Sequence, residues 1–161
     1  DQLIDLGCGT GLAGVALDGL ASRLTGVDLS SAMLERAKVT GAYQDFLHLD
    51  LVAALNTLPD GSAEAAIAAD VLVYVGVLEP VFAEVRRVLA DNGMFIATFE
   101  ESQNIDGWEL SSAGRYLHTK GYLRKVAADA GIDVISISRT FLREEYEVPV
   151  PSIVATFEKR R

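Results

Sequence analysis

The chain has one cysteine, Cys8, which excludes both a disulfide framework and a cysteine metal cluster. It has no apolar run near the roughly 18 residues that a membrane-spanning helix needs, so no membrane partner is expected. Positive charge is scarce: 14 Lys and Arg stand against 23 Asp and Glu, a formal net charge of −9. With no basic block to offset that balance, non-specific binding to nucleic acid or an anionic membrane is disfavoured. Neither a signal peptide nor a low-complexity segment is present, and a cytoplasmic location is expected. Histidine is nearly absent too; His48 has no cysteine or second histidine nearby, so no metal site is expected. The chain starts at Asp1, without an initiator methionine, and its first strand begins almost at once. Residues 1–161 are therefore expected to form one domain that lacks upstream residues.

What is present is an alternation of short apolar runs with amphipathic stretches. Leu3-Ile4 leads into Asp5-Leu6-Gly7-Cys8-Gly9-Thr10-Gly11, and Leu12, Val15, Ala16 and Leu20 follow at helical spacing. Leu24 to Val27 predicts a second strand ending at Asp28, after which Ser30-Ser31 caps a helix with Met33, Leu34 and Ala37. Phe46 to Leu49 predicts a third strand ending at Asp50, then a short helix through Leu55. Ala65 to Ala69, ending at Asp70, is the fourth. Pro80 opens a helix with Val81, Phe82, Val85, Val88 and Leu89 on one face, and Asp91-Asn92-Gly93 stops it before a fifth strand, Met94 to Phe99. Residues 100–118 carry no clean periodicity. Tyr122, Leu123, Val126, Ala127 and Ala130 mark another helix, with Gly131 as its stop. Ile135 and Ile137 alternate in a sixth strand; Ile153, Ala155 and Phe157 do so in a seventh. The link at 140–151 has no room for a crossover helix, so an antiparallel return is expected. The pattern is that of an α/β, doubly wound, Rossmann-like sheet of seven strands, mostly parallel, with an antiparallel last strand.

Asp5, Asp28, Asp50 and Asp70 close four successive predicted parallel strands. In a doubly wound sheet the carboxyl ends share one edge, where ligands bind. A single such aspartate could serve only as a helix cap. Four in a row, the first within a tight glycine turn that lets backbone approach a small polar ligand, point to a shared site.

In these residues the chain resembles the class I S-adenosylmethionine-dependent methyltransferases. The resemblance rests on the glycine turn after Asp5, on Val27-Asp28-Leu29-Ser30, and on Asp70 to Val75 followed by Arg87-Val88-Leu89 and Asn92-Gly93. It covers essentially the whole chain and implies the strand order 3-2-1-4-5-7-6. Gly114-Arg115-Tyr116 with His118 is similar to a group of predicted methyltransferases often fused to TPR repeats; a TPR-like segment would lie upstream of Asp1. The resemblance implies S-adenosyl-L-methionine as cofactor. Gly7, Cys8, Gly9 and Gly11 would then flank its amino-acid half, and the helix N–H groups after Gly11 its carboxylate. Asp5 would receive its ammonium and Asp28 the ribose hydroxyls. Asp50 and the Leu51 backbone would meet the adenine edge, Leu29 and Met33 its ring, and Asp70 would lie beneath the methionine portion.

A nicotinamide-dinucleotide reading has one literal match, Gly9-x-Gly11-x-x-Gly14, which alone is weak. Counted from Gly7, the residue after the strand, the third glycine should fall at Leu12. Asp5, Asp50 and the antiparallel end also have no place in that reading. Methyl transfer needs an aligned nucleophile more than a base. Tyr74, where many relatives carry histidine, and His118 are the catalytic candidates, each with a plain structural alternative: covering the sulfonium, or starting the next helix. Arg115 suits an acceptor carboxylate or phosphate. Glu100-Glu101 read as a solvated loop that could touch the acceptor, Trp108 as pocket wall or anchor, and Arg160-Arg161 as a solvated tail. The expected acceptor is a small molecule methylated on oxygen or nitrogen; the alternatives are a protein acceptor or a non-catalytic cofactor-binding module.

Overall fold

A computed structural model describes residues 1–103 and 106–161. Strands β1 (Gln2–Leu6), β2 (Arg23–Val27), β3 (Asp45–Leu47), β4 (Ala63–Ala68) and β5 (Leu89–Glu101) pair in parallel in the order β3-β2-β1-β4-β5. Helices α1 (Leu12–Ala16), α2 (Ser31–Val39), α3 (Leu51–Asn56) and α4 (Glu79–Val88) fall between them. The chain continues through β6 (Trp108–Leu110), β7 (Tyr116–His118), α5 (Lys120–Ala130), β8 (Ile132–Glu145) and β9 (Val148–Lys159). β9 inserts antiparallel against β5, and β8 pairs antiparallel outside it. The expected sixth and seventh strands are thus β8 and β9, and the order 3-2-1-4-5-7-6 holds.

Alternation along β1 divides the packing. Ile4 and Leu6 join a large core formed with α3, α4 and α5, where Phe82 meets Phe95 and Phe157 edge-on at 5.5 and 5.1 Å. Leu3 joins a smaller cluster made by Cys8, Leu24, Leu34, Ala37, Ala42 and Tyr43. Helix α4 shows why its sequence was readable: Val81, Phe82, Val85 and Val88 are buried, and Pro80 sits in its first turn. Leu89, expected on that face, instead starts β5; after it the chain bulges through Asn92, at φ 63°, before Met94 pairs with Ala65.

Three features depart from expectation. Helix α1 ends at Ala16, and Leu12, Val15 and Leu20 are exposed rather than buried as one face. The unpatterned stretch before α5 contains a hairpin, β6–β7, whose second strand adds in parallel to Glu100 and Glu101 at the tip of β5. Finally, β8 and β9 run past the sheet's carboxyl edge as a two-stranded arm. Its turn, Tyr146-Glu147, has φ 50° and 63°, the left-handed pair that a two-residue hairpin demands and that glycine or asparagine usually supplies.

Candidate functional site

A cavity of about 950 Å³ opens at the carboxyl ends of β1, β2 and β4. Of the residues expected there, Asp5, Gly7, Cys8, Gly9, Asp28, Leu29, Met33, Asp50, Leu51, Asp70 and Tyr74 all line it. Gly11 and His118 do not. Among its described lining residues are four carboxylates and no lysine, arginine or histidine. Its remaining walls are mostly apolar, with Leu49, Val71, Val75, Val77 and Val81 among them.

The glycine turn is held from several directions. Gly7 and Cys8 both donate to the Val27 carbonyl, at 2.8 and 2.9 Å, which folds the turn back over β2. Gly7 has φ 74°, and a Cβ there would stand 2.3 Å from Val71. Gly9, at φ 53°, has open space where its Cβ would be and leaves bare backbone facing the cavity. Asp28 braces this loop: its Oδ2 accepts from Gly9 N–H at 2.9 Å and its Oδ1 from Ser30 N–H at 2.8 Å.

Tyr43, which sequence reasoning missed, ties the turn to Asp5. Its hydroxyl donates to Asp5 Oδ2 at 2.6 Å and accepts from Gly14 N–H at 3.0 Å. A Cβ on Gly14 would lie 2.3 Å from the Tyr43 ring, so this third glycine of the literal dinucleotide string serves tyrosine packing. Gly11 likewise lies under the turn against Thr40, Tyr43 and Ala37. Burial pushes the Asp5 carboxyl above its usual range, against the opposing pull of the Tyr43 hydrogen bond, and the nearby Asp28 adds to the rise. Burial, with Asp5 and Asp28 beside it, pushes the Cys8 thiol up to about 12. Cys8 therefore stays a protonated, inert thiol in the cavity wall.

The other acids differ in their settings. Asp50 caps α3, its Oδ1 accepting from Ala53 N–H at 2.9 Å, so the plain capping role and a place in the cavity coincide. Asp70 sits in the left-handed region at φ 58° and donates its N–H to Thr98 Oγ1 at 2.8 Å. Its carboxylate meets Arg143 from the β8–β9 arm, and the same guanidinium group lies 3.4 Å from Glu100. Arg143 reaches this point across a register shift between Phe141 and Glu144, a local bulge that re-aims the side chain.

Several expectations outside the cavity are corrected. Glu100 and Glu101 are not a solvated loop but buried at the end of β5: Glu100 accepts from Arg115 at 2.6 Å, and Glu101 takes a two-nitrogen contact from Arg139 at 2.5 and 3.0 Å. That guanidinium group holds the Glu101 carboxyl below its usual range. Arg115 is accordingly committed to Glu100 and Glu145 rather than turned toward an acceptor. Trp108, read as pocket wall or anchor, takes the second role, packing edge-on against Tyr116 at 5.3 Å in the β6–β7 hairpin, outside the cavity lining. Arg160 and Arg161 are exposed, as expected of a solvated tail, and Arg160 pairs there with Asp133. His118 is fully buried in β7 between Phe99 and Tyr122, and burial lowers its pKa. It does not reach the cavity; of the two catalytic candidates Tyr74, two-thirds exposed at the end of a 3₁₀ turn (Leu72–Tyr74), is the one that lines it.

Comparison with known proteins agrees with this arrangement. Residues 4–97 match the methyltransferase domain family. The Saccharomyces cerevisiae protein CRG1, described as a probable S-adenosylmethionine-dependent methyltransferase, is 29% identical over 134 residues, which are 73% of this chain and 46% of CRG1. The chain thus spans about half the length of that relative. Among solved structures, a Methanosarcina mazei S-adenosylmethionine-dependent methyltransferase superposes with TM-score 0.78 at 18% identity, over 99% of this chain and 92% of that one. The Burkholderia thailandensis 1,6-didemethyltoxoflavin-N1-methyltransferase, with bound 1,6-didemethyltoxoflavin and S-adenosylhomocysteine, superposes with TM-score 0.78 at 17% identity, over 99% of this chain and 71% of that one. No helix among the described residues is long and apolar enough to cross a membrane, and no group of three or more His, Cys, Asp or Glu among them is placed to hold a metal ion.

Proposed function

The chain belongs to the class I S-adenosylmethionine-dependent methyltransferase family, and from that premise we propose that it moves a methyl group from S-adenosyl-L-methionine to an oxygen or nitrogen of a small-molecule acceptor by in-line displacement. The observation that carries this reading is the charge of the cavity: four strand-end carboxylates with no cation among the described lining residues. Such a site favours a ligand bearing positive charge and hydroxyl donors over a diphosphate. When bound, S-adenosylmethionine supplies an already activated methyl group on a sulfonium centre.

The chain's own residues then bind and align. Asp5, anchored by Tyr43, receives an ammonium group at the foot of the glycine turn, where Gly9 leaves its backbone bare. Asp28, fixed in orientation by the N–H groups of Gly9 and Ser30, keeps further lone pairs for a ribose diol. Leu29, Met33 and Leu49 supply apolar contact for a purine ring beside Asp50 and the Leu51 backbone. Cys8, held protonated, does not compete as a nucleophile for the methyl group. Tyr74 orients the acceptor and covers the transfer point.

The cavity's size supports a small acceptor: about 950 Å³ lies at the upper end of the roughly 300–1,000 Å³ of ligand pockets, leaving space beside a nucleoside cofactor. The B. thailandensis structure, which holds a small molecule with S-adenosylhomocysteine on the same fold, supports it too. A non-catalytic binding module is the second reading, favoured by the absence of lysine and histidine from the described lining. The experiment is release of S-adenosylhomocysteine across a panel of small hydroxyl- and amine-bearing acceptors and, separately, protein substrates. Turnover with a small molecule supports the proposal. Turnover with protein alone overturns the acceptor class, and binding without any turnover favours the second reading.

A further inference from the structure

The segment from Val71 to Leu78 starts against Gly7 of the glycine turn and forms a second wall of the cavity: Val71, Tyr74, Val75 and Val77 all line it. Behind this wall stands His118, its ring fully buried and its Nε2 3.2 Å from the Gly76 carbonyl. A carbonyl only accepts, so Nε2 carries the proton and Nδ1 is bare. Nδ1 has no partner among the described residues. The ring stacks on Tyr122 at 5.9 Å and 9°, and meets Phe99 edge-on at 5.6 Å.

Tyr122 continues the grip. Its hydroxyl accepts from Leu78 N–H at 2.9 Å and donates to Glu79 Oε2 at 2.7 Å. One stacked pair thus holds both Gly76 and Leu78. The β6–β7 hairpin closes the same spot from another side, because a Cβ on Gly76 would stand 2.8 Å from the Tyr116 ring and 3.0 Å from Trp108. A phenylalanine would fill the space between Phe99 and Tyr122 without burying an unpartnered nitrogen. What the imidazole adds over such a ring is the bond to Gly76.

We propose that His118 is a positioning residue that fixes the Val71–Leu78 wall, and through it Tyr74, by its hydrogen bond to the Gly76 carbonyl. It touches neither cofactor nor acceptor. This deepens the methyltransferase reading, but only the ligand-binding arm of its test rests on that reading.

The test compares the wild-type chain with His118→Phe, which keeps the ring but loses the donor, and His118→Gln, which restores a donor at a similar reach. Hydrogen exchange of residues 71–78, without ligand, is read first. The expected result is exchange about tenfold faster in His118→Phe, confined to this segment, and near wild-type rates in His118→Gln, the scale of one ordinary hydrogen bond. Titration with S-adenosylhomocysteine is read second, with affinity reduced several-fold in His118→Phe and recovered in His118→Gln. Trp108, lying against Gly76, gives a fluorescence shift in the Phe variant alone. Wild-type exchange at 71–78 in His118→Phe would overturn the proposal, as would faster exchange spread equally over β1 and β4. If wild-type chain fails to bind S-adenosylhomocysteine while the exchange result holds, the cofactor reading falls and the positioning role stands. Should His118→Phe not fold, His118→Leu, which also lacks the donor, is compared with His118→Gln in the same exchange readout, and equal exchange at 71–78 in the two would overturn the proposal.

Discussion

The two walls of the cavity are built around the same device and differ in what it holds. On the glycine-turn side, the Tyr43 hydroxyl joins a backbone N–H, that of Gly14, to a carboxylate, Asp5. On the Tyr74 side, the Tyr122 hydroxyl joins the Leu78 N–H to the Glu79 carboxylate. Asp5 is buried and faces the cavity, whereas Glu79 is exposed and lies outside it. The first wall uses its tyrosine to hold a buried acid that lines the cavity. The second spends it on position alone. The donor wall is therefore the less tolerant of change.

That asymmetry can be broken most forcefully at the glycines. Gly7→Ala places a Cβ 2.3 Å from Val71 and demands a left-handed φ of 74°. We expect a stability loss of about 3 kcal/mol or more in denaturant titration and loss of S-adenosylhomocysteine binding. Gly76→Ala on the opposite wall meets only aromatic side chains, which can shift, and should cost about 1 kcal/mol.

The tyrosines give the next contrast. Tyr43→Phe strands a buried carboxylate and an N–H, so a loss of about 2–3 kcal/mol is expected. Tyr122→Phe leaves an exposed carboxylate that water can solvate, with a loss of about 1 kcal/mol. Equal losses by thermal or chemical unfolding would erase the distinction between the walls.

Opposite pH dependences sharpen it further. The folded Asp5 carboxyl titrates above its ordinary 3.8, so the folded state binds more protons between those two values. Its contribution is fully present below 3.8 and is lost as pH rises through the folded value; Asp5→Asn should remove that slope. His118 is shifted below its ordinary 6.5, so its contribution is full above 6.5 and is lost as pH falls through the folded value. His118→Phe should flatten the stability curve in that lower window. Unfolding free energies measured from pH 3 to 8 check both signs. Arg143→Ala, which removes a partly exposed pair with Asp70 and leaves the buried Glu100 its closer partner Arg115, should change stability least, by less than about 1 kcal/mol.

The same asymmetry governs what could be read from the chain. The donor wall is assembled from strand ends and the turns that follow them, and a single sequence shows those directly as Asp5, Asp28, Asp50, Asp70 and the spaced glycines. The Tyr74 wall depends on pairings between distant, short elements. Strands β6 and β7 have three residues each, too few to show alternation. Glu100 and Glu101 resembled a polar loop because the arginines that neutralise them come from Arg115 and Arg139, outside the fifth strand. His118 carried the right chemistry for catalysis, and only its burial behind Gly76 sets it outside the cavity. Even on the donor wall, Tyr43 escaped notice: it lies between α2 and β3 with no periodic neighbours, 38 residues from Asp5. The α1 spacing misled in the other direction: Leu12, Val15 and Leu20 are exposed, and Leu20 lies beyond a helix that ends at Ala16.

Calorimetric titration of the wild-type chain with S-adenosylmethionine and, in parallel, with NAD addresses the cavity directly. The account predicts saturable binding of S-adenosylmethionine at one site per chain, abolished by Asp28→Ala, and no heat from NAD. Saturable binding of NAD with none of S-adenosylmethionine would contradict it.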